Sequence, residues 1–504
     1  MKISTILSTL VAATLVSAGK LHHLKQANSH PIVPNAYIIE YESNISHNDA
    51  HKALKAHSID YHVRNEYDIF KGSAITIKSG HSGEHIAAVP GIKNVWPITL
   101  HKAPKIIKST KKATDPQVVS DHHMTGVDVV HEKYHLTGKG IKVGIIDTGV
   151  DYNHPAFAAA GATKGCFARY GKHCRVAHGW DFVGDDYTGY NTPVPDADPM
   201  DCYGHGTHVA GIVGGNALDI KVSPKPPQPF VGVAPEVTFG AYRIFGCDGS
   251  AGDDVILAAM ELAFNDGMDV INMSLGGGSS YKINPVAILG DKLSLRGMSL
   301  AAAGGNDGSS GVWMVSDSGL GDHATSVASF DNAYGFYDSF TYGGVSHPYS
   351  PSEAWGEIIN LPANATLVAV LEKDGSLSDG CDSAIYNGLD VKGKVVLTLG
   401  DTTRCLSGGR GANAIAAGAA GMLIQTTPYG IASLGGNPDF PMGSIEFQAG
   451  EDLLAVWKKT PNAAITWSKS PSNFLIEGGG APSDFSSFGL DGDLRSKPDV
   501  AAPG

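Results

Sequence analysis

Between residues 141 and 303, short continuous apolar runs alternate with stretches of helical period, and few architectures accept that alternation. Residues 141–146, 237–245, 270–275 and 298–303 read as strands buried on both faces. Residues 206–213 read as a helix with Val209, Ile212 and Val213 on one face. A second helix is expected from Asp253, capped by Asp253 or Asp254, with Val255, Ile256, Ala259, Leu262 and Ala263 recurring at three- and four-residue spacing. Strands that alternate with helices build a parallel sheet covered on both faces, so the fold class is α/β. Ligands of such sheets sit at the carboxyl ends of the strands, and that edge is where chemistry is to be sought.

The chain is longer than this unit requires. It has 504 residues, room for two or three cores at roughly 150 residues per domain. Residues 36–103 carry a smaller α/β pattern, with strand-like AYIIEY, an amphipathic stretch over 47–57 and GSAITIKS. The basic tract KAPKIIKSTKK follows and reads as exposed and cleavable. The main α/β region covers 120–331. Residues 340–470 are rich in Gly and Ala with short strands, and the α/β texture resumes over 480–504. The formal net charge of −13 argues against nucleic acid or an acidic membrane surface as partner.

The first 18 residues read as a secretion signal: Lys2 is the basic start, an apolar run follows, and Val16 and Ala18 are the small residues before a cut. The run is well short of the ~20 apolar residues of a spanning helix. Secretion makes disulfides of the six cysteines, for which 15 pairings exist. Short loops favour Cys166–Cys174 and Cys381–Cys405, leaving Cys202–Cys247. Asn44 and Asn364 head glycosylation sequons. Asn272 heads a third, but inside an apolar strand.

Two polar residues stand at strand–helix junctions. Asp147 ends the first buried strand, in IIDTGVDYNHP, and His205 opens a helix in DCYGHGTHVAGIVGG. A carboxylate in such a place is functional or a helix cap; together the two suit a base and the acid that orients it. His205 and His208 lack the glutamate of a zinc-binding H-E-x-x-H helix, so no metal site is expected there.

With these motifs on the page, the chain resembles the subtilisin-like serine peptidases. IIDTGVDYNHP resembles their aspartate motif and GHGTHVAG their histidine motif. INMSLGG resembles the substrate-binding strand, AAAGGND the motif of the oxyanion asparagine, and FSSFG with KPDVAAPG the approach to the nucleophile. The resemblance implies that Asp147 orients His205 and that His205 takes the proton of a serine. It implies that Asn306 donates to the oxyanion, and that Ser274, Leu275 and Gly276 pair with an extended polypeptide substrate. One departure is that two glycines, Gly304 and Gly305, precede Asn306 where the family has one.

The same resemblance makes 36–103 an inhibitor-type propeptide and 340–470 a protease-associated domain inserted between SVASFDN and FSSFG. No cofactor is implied, with calcium left open, and a secreted monomer is expected. The family's nucleophile belongs to a G-T-S motif that residues 1–504 do not contain, so this chain is expected to be inactive as it stands. Its absence also removes a core helix, and apolar surface is expected to be exposed. The competing expectation is a non-catalytic secreted binding or inhibitory protein derived from such a peptidase.

Overall fold

The computed structural model describes residues 19–22, 31–78, 80–104, 118–218, 220, 230–277, 281–354, 357–358, 365–400, 404–426, 434, 440–461, 463–468, 472–475 and 479–504. The expected signal segment, most of the basic tract and Asn364 lie outside the described residues. Asn44 is exposed, as a glycosylation site must be.

The strand periodicity of the central region is realised as a seven-stranded sheet. Its order is Val500–Pro503, Thr325–Phe330, Ser299–Ala303, Val270–Met273, Lys142–Asp147, Thr238–Arg243 and Val176–Asp181, every neighbour parallel. Alternate side chains of each strand enter different cores. Val143 and Ile145 join Phe239, Ala241, Val209 and Ala210 on one face. Ile146 joins Tyr242, Ile271 and Met273 on the other, beneath the helices Asp253–Asn265 and Pro285–Ser294. From Lys142–Asp147 the chain passes to the edge strand Val176–Asp181, returns to Thr238–Arg243 between the two, then crosses to Val270–Met273 on the other side. This strand is therefore the switch point of the sheet, where a crevice opens beyond the carboxyl ends.

Two helix details differ from the sequence reading. Ile212 is 58% exposed, and the helix His205–Gly214 packs instead through Val209, Ala210, Gly211 and Gly214. Small residues let it lie close to the sheet. The helix Asp253–Asn265 is capped by the extended Gly252, with no side-chain cap. Asp253 and Asp254 are fully buried in its first turn and are engaged by residues more than 150 positions earlier.

Those partners belong to a six-stranded sheet formed mainly by residues 20–102, which lies across both helices. Tyr67, Phe70, Trp96, Ile98 and Leu100 share one core with Val255, Ile256, Met260 and Leu289. Glu261 accepts the backbone N–H groups of Asp68, Ile69 and Phe70 at 2.8, 2.8 and 2.7 Å. Arg64 pairs with Asp254 at 2.7 Å, and Lys292 with Glu40 at 3.1 Å.

Residues 334–475 form a third, eight-stranded sheet. Its ends meet: Asp331 N donates to Ala481 O at 2.8 Å, and Gly480 N to Asp331 O at 2.8 Å. The chain thus leaves the parallel sheet after Thr325–Phe330 and rejoins it at Val500–Pro503, which pairs with that strand. Val500 remains exposed, as do Phe485, Phe488 and Leu494 in the stretch leading to it. The three disulfides are Cys166–Cys174 and Cys381–Cys405, the pairs that short loops favour, and Cys202–Cys247, the pair they leave.

Candidate active site

Asp147 closes the switch-point strand and has no exposure to solvent. Its Oδ1 receives the N–H of Thr148 at 2.7 Å and stands 2.7 Å from His205 Nδ1. A buried carboxylate held this way fixes the imidazole tautomer: Nδ1 carries the proton, and Nε2 keeps its lone pair. Among the described residues no group is hydrogen-bonded to Nε2, and the His205 side chain remains 15% exposed. His205 therefore presents an accepting nitrogen to the crevice.

His205 is set by the turn before its helix. Gly204 adopts φ +106°, which favours glycine, and the helix begins at the next residue. Asp201 organises this turn. Its Oδ1 accepts the N–H groups of Tyr203 and Gly204 at 2.9 and 2.7 Å, and its Oδ2 accepts Thr207 N at 3.0 Å. Thr148 bridges the two halves: its hydroxyl donates to Asp201 at 3.1 Å and accepts Gly206 N at 2.8 Å. The Cys202–Cys247 disulfide ties the same turn to the loop after the strand Thr238–Arg243. Sequence reasoning passed over Asp201 and Thr148. Asp201 lies three residues before the N-cap Gly204, outside the position at which a capping side chain is sought, so the sequence carries no capping signal for it.

Burial raises the Asp147 carboxyl above its usual range, against the hydrogen bond and charge of His205. Burial opposes the charge of His205, but the hydrogen bond and charge of Asp147, with Asp201 behind it, outweigh it and raise its pKa. His208 moves the other way, lowered by burial and by the neighbouring His205. It joins no group of three ligand side chains among the described residues.

A β-carbon on Gly206 would run into the carbonyl oxygen of Gly149 and lie 3.1 Å from Asp147 Cβ. Backbone cannot yield as a flexible side chain can. Gly206→Ala is expected to cost about 1–3 kcal/mol, as overpacking does. It should also separate His205 from Asp147. Thermal unfolding should show a Tm lowered by several degrees, and an unchanged Tm would mean the contact is relieved at no cost.

The other expected site residues lie along the same edge. Ser274, Leu275 and Gly276 follow the strand Val270–Met273, which adjoins Lys142–Asp147. Gly276 has φ +142° and is backed against Ser316 and Ser318. Asn306 follows Ser299–Ala303, the next strand outward, and is exposed. The doubled glycine before it has a physical reason. Gly305 adopts φ +110°, and a β-carbon there would lie 2.7 Å from Ser487 Oγ. Ser487 braces the turn, donating its N–H to Gly305 O at 2.9 Å and accepting Asp307 N at 3.1 Å.

The model of the subtilase family matches residues 138–504. The chain is 30% identical over 465 residues to the minor extracellular protease Vpr of Bacillus subtilis, covering 90% of this chain and 52% of that protein. It is 28% identical over 438 residues to the PII-type proteinase of Lactococcus lactis, covering 77% of this chain and 22% of the other. Subtilisin DY of Bacillus licheniformis is 37% identical over 174 residues, 34% of this chain and 50% of its own. The chain thus spans about half, or less, of the length of these relatives. Fervidolysin from Fervidobacterium pennivorans aligns with a TM-score of 0.42 and 19% identity, covering 66% of this chain and 46% of its own. No helix among the described residues is long and apolar enough to cross a membrane. The chain belongs to the subtilase family.

Proposed function

We propose that this chain belongs to a secreted serine endopeptidase precursor, with Asp147 and His205 as two members of its triad. The observation that carries the reading is the 2.7 Å pair between His205 Nδ1 and the buried Asp147, with Nε2 turned to the crevice. In the reaction His205 takes the proton of an attacking serine hydroxyl, and Asp147 stabilises the imidazolium that forms. Asn306 donates to the oxyanion of the tetrahedral intermediate. Residues 274–276 pair with the substrate backbone as an added strand does. The serine itself is not assigned to any position in residues 1–504.

The N-terminal sheet acts in this reading as an inhibitory propeptide. Support comes from its antiparallel pairing of Leu100–Lys102 with Ser250–Gly252, the way an extended peptide joins a sheet edge. Residues 340–470 act as an inserted protease-associated unit. A chain that also carries the family's Gly-Thr-Ser motif should hydrolyse casein and be silenced by a fluorophosphonate. Casein hydrolysis that survives stoichiometric phosphonylation would reject a serine nucleophile.

The pH profile follows from the charges around His205. The base works neutral, and its pKa lies above the ordinary 6.5. Activity should therefore rise with pH through a midpoint above 6.5 and be lost on acidification. Asp201→Asn removes one charge that favours the imidazolium, so the midpoint should move down. A kcat/KM profile with its midpoint below pH ~5 would point to a carboxylate base instead.

A further inference from the structure

Asp253 lies at the start of its helix with its side chain wholly buried, yet among the described residues every hydrogen bond its carboxylate makes comes from the N-terminal sheet. Thr99 donates its N–H at 3.0 Å and its hydroxyl at 2.5 Å to Oδ2, and His101 Nε2 stands 2.6 Å from Oδ1. The same Nε2 lies 3.7 Å from Asp317 Oδ2. Asp317 is equally buried and is held by Asn284 Nδ2 at 3.1 Å and by the N–H groups of Gly277 and Ser318 at 3.1 and 2.9 Å. His101 is 1% exposed. The strand that carries it lies along Ser250–Gly252, with His101 opposite Ala251 and Ala103 N donating to Gly249 O at 3.2 Å.

The chain has thus inserted a residue of an extended strand into a pocket with two carboxylates. Burial opposes a charge on His101, but Asp317 and Asp253 outweigh it and push its pKa up to about 9. The imidazole is held as a cation. The 2.6 Å approach of nitrogen to oxygen is a hydrogen bond, too close for both atoms to share a metal ion. Departure of residues 19–104 would remove the Thr99 and His101 donors from Asp253 and leave two carboxylates lining the space that His101 vacates. Like charges so placed favour a cation between them.

We propose that this pocket is a substrate subsite that selects a cationic side chain, Lys, Arg or His, at the position His101 occupies in the precursor. The inference rests on the peptidase reading given above. An incoming polypeptide replaces Leu100–Lys102 along Ser250–Gly252, and its side chain opposite Ala251 enters between Asp253 and Asp317. A neutral side chain there brings no charge to the two carboxylates, and an acidic one adds like charge.

The test has two arms. In the first, the processed enzyme is given internally quenched peptides in which one Lys, norleucine or Glu is moved along the acyl side of the cut bond. At one position Lys should exceed norleucine in kcat/KM by roughly tenfold or more, with Glu lowest, as close charge pairs require. Asp253→Asn and Asp317→Asn should each lower the Lys-to-norleucine ratio at that position. Equal rates for the three residues at every position would overturn the subsite and leave the peptidase reading standing. Cleavage of none would overturn the peptidase reading, and the second arm judges the pocket without catalysis. There, full-length precursors carrying His205→Ala, which cannot process themselves, are nicked by trypsin in the basic tract and passed over a sizing column. With His101 or His101→Lys the N-terminal fragment should stay bound, and with His101→Leu or His101→Glu it should separate. Retention by His101→Glu, or release by His101→Lys as complete as by His101→Leu, would overturn the pocket's preference for charge.

Discussion

Replacing His205 by Ala in an enzyme carrying the full triad is expected to lower kcat by about 10⁶, the scale known for subtilisin itself. Among the described residues nothing else within hydrogen-bonding reach of Asp147 can take the proton: its Oδ1 is engaged only by His205 and the Thr148 N–H. Asp147→Asn should cost less, about 10⁴, for a different reason. An amide keeps the shape but can present its NH₂ to Nδ1. The imidazole then carries its proton on Nε2, the nitrogen that must be free to accept one. The two variants thus separate loss of the base from loss of its tautomer. Single-turnover acylation at pH 8 measures both, and a loss of less than tenfold for His205→Ala would remove this residue from the mechanism.

How far the sequence reveals this arrangement depends on how local each cause is. Asp147 and His205 were legible because each sits at a junction that a few neighbouring residues enforce, and the apolar runs around them announce the parallel sheet. Cys166 and Cys174 are eight residues apart and were legible for the same reason. Asp253 and Asp254 were misread as caps. At a helix start, Asp is an ordinary cap, and what overrides that use is Thr99, His101 and Arg64, 152 to 190 residues away. Asp201 was missed because four of its five hydrogen bonds form only once the Gly204 turn has closed. Ile212 was placed on the buried face by periodicity, but Ala210, Gly211 and Gly214 allow a closer approach than large residues do, and the contact turns to their side of the helix.

Residues 1–504 alone are expected to give no acyl-enzyme, and the hydroxyls present explain why. Ser274 accepts Asn272 Nδ2 at 2.9 Å. Ser486 is 6% exposed and accepts Ser329 N at 3.0 Å. Ser487 is wholly buried and braces the Asn306 turn. None is hydrogen-bonded to His205, so among the described residues the base has no hydroxyl to deprotonate. What an oxyanion donor and a binding cleft achieve without a nucleophile is about 10³–10⁴ over water, the residue left in subtilisin when its triad is removed. Two secreted chains decide the matter, one ending at Gly504 and one that also carries the Gly-Thr-Ser motif, each exposed to a fluorophosphonate probe and to casein. The longer chain should label once per molecule and cleave, and its Ser→Ala form should do neither. The shorter chain should remain unlabelled even when its N-terminal sheet has been removed, because uncovering the crevice exposes His205 and supplies no nucleophile. Stoichiometric labelling of that chain would mean that a hydroxyl now engaged elsewhere reaches Nε2, and peptide mapping of the adduct would identify which of Ser274, Ser486 and Ser487 had left its partner.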